Sequence, residues 1–82
     1  MQTDGHIAEA RARLGVRIRD LREAQHMSQR AFAQMVGINR SYLSEVEHGK
    51  RNVAFDNLMK IAEGFGITMS ELIVDVEYDG GE

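Results

Sequence analysis

The sequence predicts an all-α protein, a compact arrangement of five short helices around one core. Three observations predict it. Apolar residues recur at spacings of three and four, and glycines and capping residues fall between those runs, while neither proline nor cysteine occurs in the 82 residues. A chain of this length supports a single modest core, with no disulfide or thiolate metal site to reinforce it. No second, ligand-sensing domain is expected.

The first helix is expected over residues 7–25, where Ile7, Leu14, Ile18 and Leu21 share one stripe and arginines occupy the other faces. Thr3 or Asp4 is the expected cap. Ser28 is a favourable N-cap for a second helix over residues 29–36, with Phe32, Ala33, Met35 and Val36 inward. Gly37 ends it by accepting a left-handed backbone. Ile38 plugs the turn, Asn39 caps a third helix over residues 40–48 with Leu43 and Val46 inward, and Gly49 stops that run. The fourth helix, residues 55–65, is expected to bury Phe55, Leu58, Met59, Ala62 and Phe65, with Gly66 just past its end. Thr68 and Glu71 form a capping-box pattern for a last short helix through Leu72. Beyond it, Val74 to Asp79 alternates apolar and acidic residues, which predicts a short C-terminal β-strand.

Charge is segregated along the chain. The formal net charge is −3, yet all ten Lys and Arg lie between Arg11 and Lys60 among only five acids, while residues 63–82 hold six acids and no base. A basic middle with an acidic end suits a polyanionic partner better than the average suggests. His6, His26 and His48 are far apart and fit no metal-ligand spacing, so no metal is expected. Met27, Met35, Met59 and Met69 read as core fillers. No phosphate-loop glycine pattern and no long apolar run occur, so the expectation is a cytoplasmic protein that is not an enzyme and uses no cofactor, membrane or small-molecule ligand.

The informative spacing begins at Gln29. Two helices crossing steeply around a tight turn need a small residue at closest approach, a glycine in the turn and apolar residues where the second helix packs on the first. Ala33, Gly37, Leu43 and Val46 meet those needs. The segment SQRAFAQMVGINRSYLSEVEHGKRN, with LGVRIRDLREAQHMSQ before it and NLMKIAEGFGITMSEL after it, resembles the lambda-repressor-like (XRE) helix-turn-helix regulators from about Leu14 to Ile73. Ala54 departs from that pattern, which has a hydroxyl cap there. The resemblance divides the chain into an N-terminal extension of the first helix (1–13), the DNA-binding domain (14–73) and an acidic tail or dimerisation strand (74–82).

The resemblance implies a sequence-specific transcriptional regulator whose third helix enters the major groove. Arg40, Ser41 and Glu45 then fall where bases are read, Arg40 toward guanine and Glu45 toward cytosine. Glu45 has two further readings, a solvated charge or an internal partner that orients Arg40. Tyr42 and Ser44 lie beside the readers, Gln29 stands where the family meets a phosphate, and His48, Lys50, Arg51 and Asn52 would run along the backbone. Arg22 and Glu47 match a family ion pair that holds the third helix to the scaffold. The stretch RSYLSEVEHGKRN looks particularly like small controller proteins of restriction-modification systems, although phage or plasmid repressors and antitoxin-type regulators share much of it. A helix-turn-helix protein-interaction module without specific DNA binding is the alternative function.

One short reading helix contacts too few base pairs to select a site, so a homodimer on a roughly palindromic double-stranded operator is expected. Its interface is placed near Phe65 and Ile67, with Val74, Val76 and Tyr78 pairing as strands across the two-fold.

Overall fold

The structure, a computed structural model, describes residues 3–77. It contains α1 (Thr3–Ala24), α2 (Gln29–Val36), α3 (Arg40–Glu47), α4 (Phe55–Phe65) and α5 (Met69–Leu72), with no strand among the described residues. α1 is one continuous helix that already includes Thr3, so the predicted start at Ile7 was four residues late. Its chain leaves through His26 at φ 59°, a left-handed position taken without a glycine.

The short helices are delimited as their caps predict. Ser28 Oγ accepts from the Ala31 amide at 3.0 Å, and Asn39 Oδ1 accepts from the Tyr42 amide at 3.1 Å. Gly37 adopts φ 79° between them, and Ile38 donates its amide to the Ala33 carbonyl at 3.0 Å, so the chain reverses within one turn. α3 stops one residue earlier than expected, with His48 as its C-cap. Ala54 precedes α4 without any side-chain cap, while the Thr68–Glu71 capping box closes in both directions at 3.0 and 2.9 Å.

Leu14, Ile18, Phe32, Ala33, Leu43, Val46, Ile61, Ala62, Phe65 and Leu72 form the buried core. The Phe32 and Phe65 rings stack near-parallel, centroids 4.4 Å apart, and join α2 to α4. Four expected core residues are exposed instead: Ile7, Met35, Phe55 and Met59. In α4 the inward face is Leu58, Ile61, Ala62 and Phe65, so Phe55 and Met59 lie on the adjoining outer stripe. Met27 and Met69 do pack against the core, but Met35 and Met59 do not fill it.

Among the described residues the C-terminal strand is not formed. Residues 73–76 make a turn in which the Val76 amide donates to the Ile73 carbonyl at 3.1 Å, and Asp75 adopts φ 64°. An isolated strand would leave its backbone groups unpaired, and this turn satisfies one pair locally. It also returns Val76 to the chain's own core while Val74 stays exposed. Tyr78 lies outside the described residues. Arg17, which the sequence did not single out, fixes the approach to the turn. Its guanidinium donates to the carbonyls of Glu71 and Leu72 at 2.6 and 3.3 Å, satisfying the end of α5 from α1.

Candidate nucleic-acid interface

α3 is presented by a buried ion pair. Arg22 Nε and Nη2 donate to Glu47 Oε2 and Oε1 at 2.8 and 2.9 Å, a bidentate fork between α1 and the last residue of α3. Both residues are buried, at 8% and 6% exposure, so the charges persist only because each satisfies the other. Arg22 Nη1 also donates to the Met27 carbonyl at 2.8 Å, tying the α1–α2 loop into the same network. The hydrogen bond to Glu47 holds the Arg22 guanidinium above its ordinary range despite the opposing effect of burial. The predicted pair is therefore present and ties the end of α3 to α1.

Gln29 belongs to this network as well as to the α2 N-terminus. Its Nε2 donates to Glu47 Oε1 at 2.9 Å, and the residue is half-buried. The side chain expected at a phosphate is thus held by the carboxylate that holds α3.

Across α3 the face opposite the core carries Arg40, Ser41 and Glu45, all exposed. Arg40 makes no hydrogen bond or ion pair among the described residues and leaves its guanidinium donors open. Glu45 accepts from Arg51 Nε at 2.6 Å, with both side chains about half exposed. Its internal partner is therefore Arg51 and not Arg40. Arg51 also lies over the Tyr42 ring, 5.2 Å from the centroid, so one guanidinium joins α3 to the loop after it. Tyr42 is half-buried and its hydroxyl is enclosed without a partner. Ser44 offers its carbonyl to His48 Nδ1 at 2.7 Å, and Lys50 and Asn52 are exposed in the loop. Arg30 on the first turn of α2, missed from the sequence, is exposed as well.

The structure thus gathers Arg40, Ser41, Tyr42, Ser44, Glu45, His48, Lys50, Arg51 and Asn52 on α3 and its following loop, with Gln29 beside its base. Of the residues expected at a dimer interface, Ile67 and Val74 line one surface recess with Arg17 and Leu21, while Phe65 and Val76 stand outside it. Phe65 is buried against Phe32, Ile67 is half-buried just beyond α4, Val74 is exposed on the terminal turn and Val76 packs inward. Among the described residues no group of His, Cys, Asp or Glu is placed to hold a metal ion, and no helix is long and apolar enough to cross a membrane.

The helix-turn-helix family model (HTH_3) matches residues 18–72, a span that runs from the buried Ile18 of α1 through the end of α5. The chain is 44% identical over 70 residues to the control protein C.MunI of Mycoplasma sp, covering 84% of this chain and 95% of that one. Among solved structures, the restriction-modification controller C.AhdI of Aeromonas hydrophila superposes with a TM-score of 0.73 at 40% identity, covering 76% of this chain and 94% of its own. The C.Esp1396I controller, solved as a tetramer in complex with its natural 35 base-pair operator, shares the fold at a TM-score of 0.71. That match is 21% identical and covers 82% of this chain and 92% of that one.

Proposed function

This chain belongs to the helix-turn-helix family, and we propose that it is a transcriptional regulator that binds a roughly palindromic DNA operator as a homodimer, of the restriction-modification controller type. α3 lies in the major groove with Arg40 and Ser41 toward base edges, and Lys50, Arg51 and Asn52 follow the phosphate backbone. The observation that carries this reading is the open guanidinium of Arg40 on the first turn of a helix locked by a buried ion pair. A rigid mount with a free two-donor head is what recognition of guanine O6 and N7 requires. Glu45 supports the reading in an indirect role: it fixes Arg51, so the loop's charge is held beside α3 instead of ranging through solvent. Regulation of this kind involves no catalytic step and places the protein with the DNA, in the cytoplasm.

Selection from a random duplex pool tests the proposal directly. It should enrich an inverted repeat with half-site centres about one helical turn apart, roughly 34 Å. Failure to enrich any sequence, together with no retardation of random duplex at low salt, would leave the fold as a protein-interaction module.

Two substitutions separate reading from holding. Arg40→Ala should cost about 1–3 kcal/mol on the selected site and relax preference at one position of each half-site. Equal losses on selected and random duplex would remove Arg40 from the base-reading set. Lys50→Ala should instead weaken all sequences alike and reduce the log–log salt slope by about one unit for each copy bound. A salt series by fluorescence anisotropy measures it, and an unchanged slope would place Lys50 off the backbone.

A further inference from the structure

We propose that the groove between the first half of α1, the loop before α4 and the turn after α5 binds a small amphipathic monocarboxylate with an alkyl body. The binding site stands on its own lining residues. Its link to operator affinity rests on the regulator reading above.

The groove has a volume of about 460 Å³, within the range of about 300–1,000 Å³ typical of small-molecule sites. Ile7 and Leu14 reach it from α1, Val53 and Leu58 from the loop and α4, and Ile73 and Val76 from the terminal turn, so three segments distant in sequence give apolar surface to one concavity. Ile7 and Ile73 remain 42% and 43% exposed there, leaving area that an alkyl chain would cover. From Ile7 to Leu14 the helix rises about 10 Å, which suits an extended chain of medium length.

Charge selects the head group. Arg11 stands between Ile7 and Leu14 on α1, half-buried in the groove, and makes no hydrogen bond or ion pair among the described residues. Arg51 lines the same groove from the loop. The one acid among the described lining residues, Glu77, is largely exposed and lies 3.5 Å from His6, so its nearest described partner is not Arg11. Two guanidiniums beside an apolar floor fit a ligand with one anionic end. A cation would be repelled, and a purely polar anion would leave the floor uncovered.

Arg51 connects this site to the DNA-binding surface. Its Nε donates to Glu45 Oε1 at 2.6 Å between half-exposed side chains, a kind of pair that contributes little and that a second carboxylate can replace. A ligand carboxylate that engages Arg51 withdraws its charge from the phosphate backbone. By linkage, DNA then weakens the ligand by the same factor.

Titration calorimetry of the full chain without DNA, with octanoate as the probe, tests the site. Octanoate should bind saturably at one site per chain. From hexanoate to decanoate the affinity should rise about two- to fourfold per methylene, the upper value being that of full burial. Octanol and octylamine should each bind at least about tenfold more weakly, the scale of one charge-assisted hydrogen bond, and Arg11→Ala should weaken octanoate by a similar factor. Ile7→Asp should abolish binding, while Val16→Asp, outside the groove, should leave it within about twofold. Should Ile7→Asp prove unfolded, Arg11→Ala and the chain-length series decide. Saturating octanoate should also lower affinity for the selected operator, and Arg51→Ala should remove that effect. The proposal is overturned by an absence of saturable octanoate binding, by octanol binding equally well, or by operator affinity unchanged at saturation. It is overturned as well if octanoate converts a sedimenting dimer to monomer, which would make the groove a contact between copies. A parent protein that selects no duplex sinks the regulator reading, while the calorimetry still decides the site.

Discussion

Glu47→Ala should lower the unfolding free energy by about 3–5 kcal/mol. Removing the carboxylate leaves the Arg22 guanidinium buried with the Met27 carbonyl as its hydrogen-bond acceptor among the described residues and only the exposed Glu23 carboxylate, 4.0 Å away, as counter-charge, and a buried charge so poorly compensated costs far more than the pair contributed. Small domains carry about 5–15 kcal/mol in total, so the variant should sit near the edge of folding. Urea unfolding followed by circular dichroism measures the loss. A change below about 1 kcal/mol, the scale of an exposed pair, would show that the bridge is dispensable. Arg22→Met combined with Glu47→Leu should recover most of the stability, because well-packed apolar replacements often match a buried pair. It should not recover operator affinity, since Gln29 loses its acceptor and α3 its bidentate orientation. The raised Arg22 pKa means that its contribution is present throughout the neutral range and is lost only as pH rises through that value, so no decline near neutrality should trace to Arg22.

The short-range chemistry of this fold was legible because caps act within three residues of one another. Ser28, Asn39, Thr68, Gly37 and Gly66 all stand where their side chains or backbone angles require, and the helices between them followed. The inward face of α4 was not legible. Residues 55, 59 and 62 and residues 58, 61, 62 and 65 both show helical spacing, and an apolar stripe left on the outside carries the same signal as one turned to the core. The tail failed for a related reason. Alternation between apolar and acidic residues marks a strand only where a neighbouring strand accepts its hydrogen bonds, and the positive φ of Asp75 turns Val76 back onto the helices instead. At the candidate site, the Arg22–Glu47 pair forms as motif position implied, and Arg40 is exposed on the first turn of α3. The partner of Glu45 was hidden, because Arg51 lies six residues away, beyond helical reach, and meets it only through the loop that Gly49 turns at φ 74°.

Gly15→Ala should destabilise the fold by about 2–3 kcal/mol and reduce operator binding further than that loss explains. Alanine gains roughly 1 kcal/mol over glycine inside a helix, so helix propensity alone predicts a more stable protein. Packing reverses the sign. A Cβ at position 15 would overlap the Glu47 carbonyl oxygen and approach that of Val46 to 2.6 Å, well inside contact distance. Those atoms are backbone, and they belong to the end of α3 that the Arg22 fork already holds. No rotamer change relieves such a contact, so α3 must move away from α1 or the ion pair must stretch. Either response tilts the helix bearing Arg40 against its scaffold, and a rigid reader that tilts loses contacts along its length. The expected signature is therefore a modest fall in unfolding free energy with a disproportionate fall in affinity for the selected operator, measured on protein shown to be folded at the assay temperature. A Gly15→Ala protein as stable as the parent, with unchanged affinity, would show that α1 and α3 approach less closely than the structure places them.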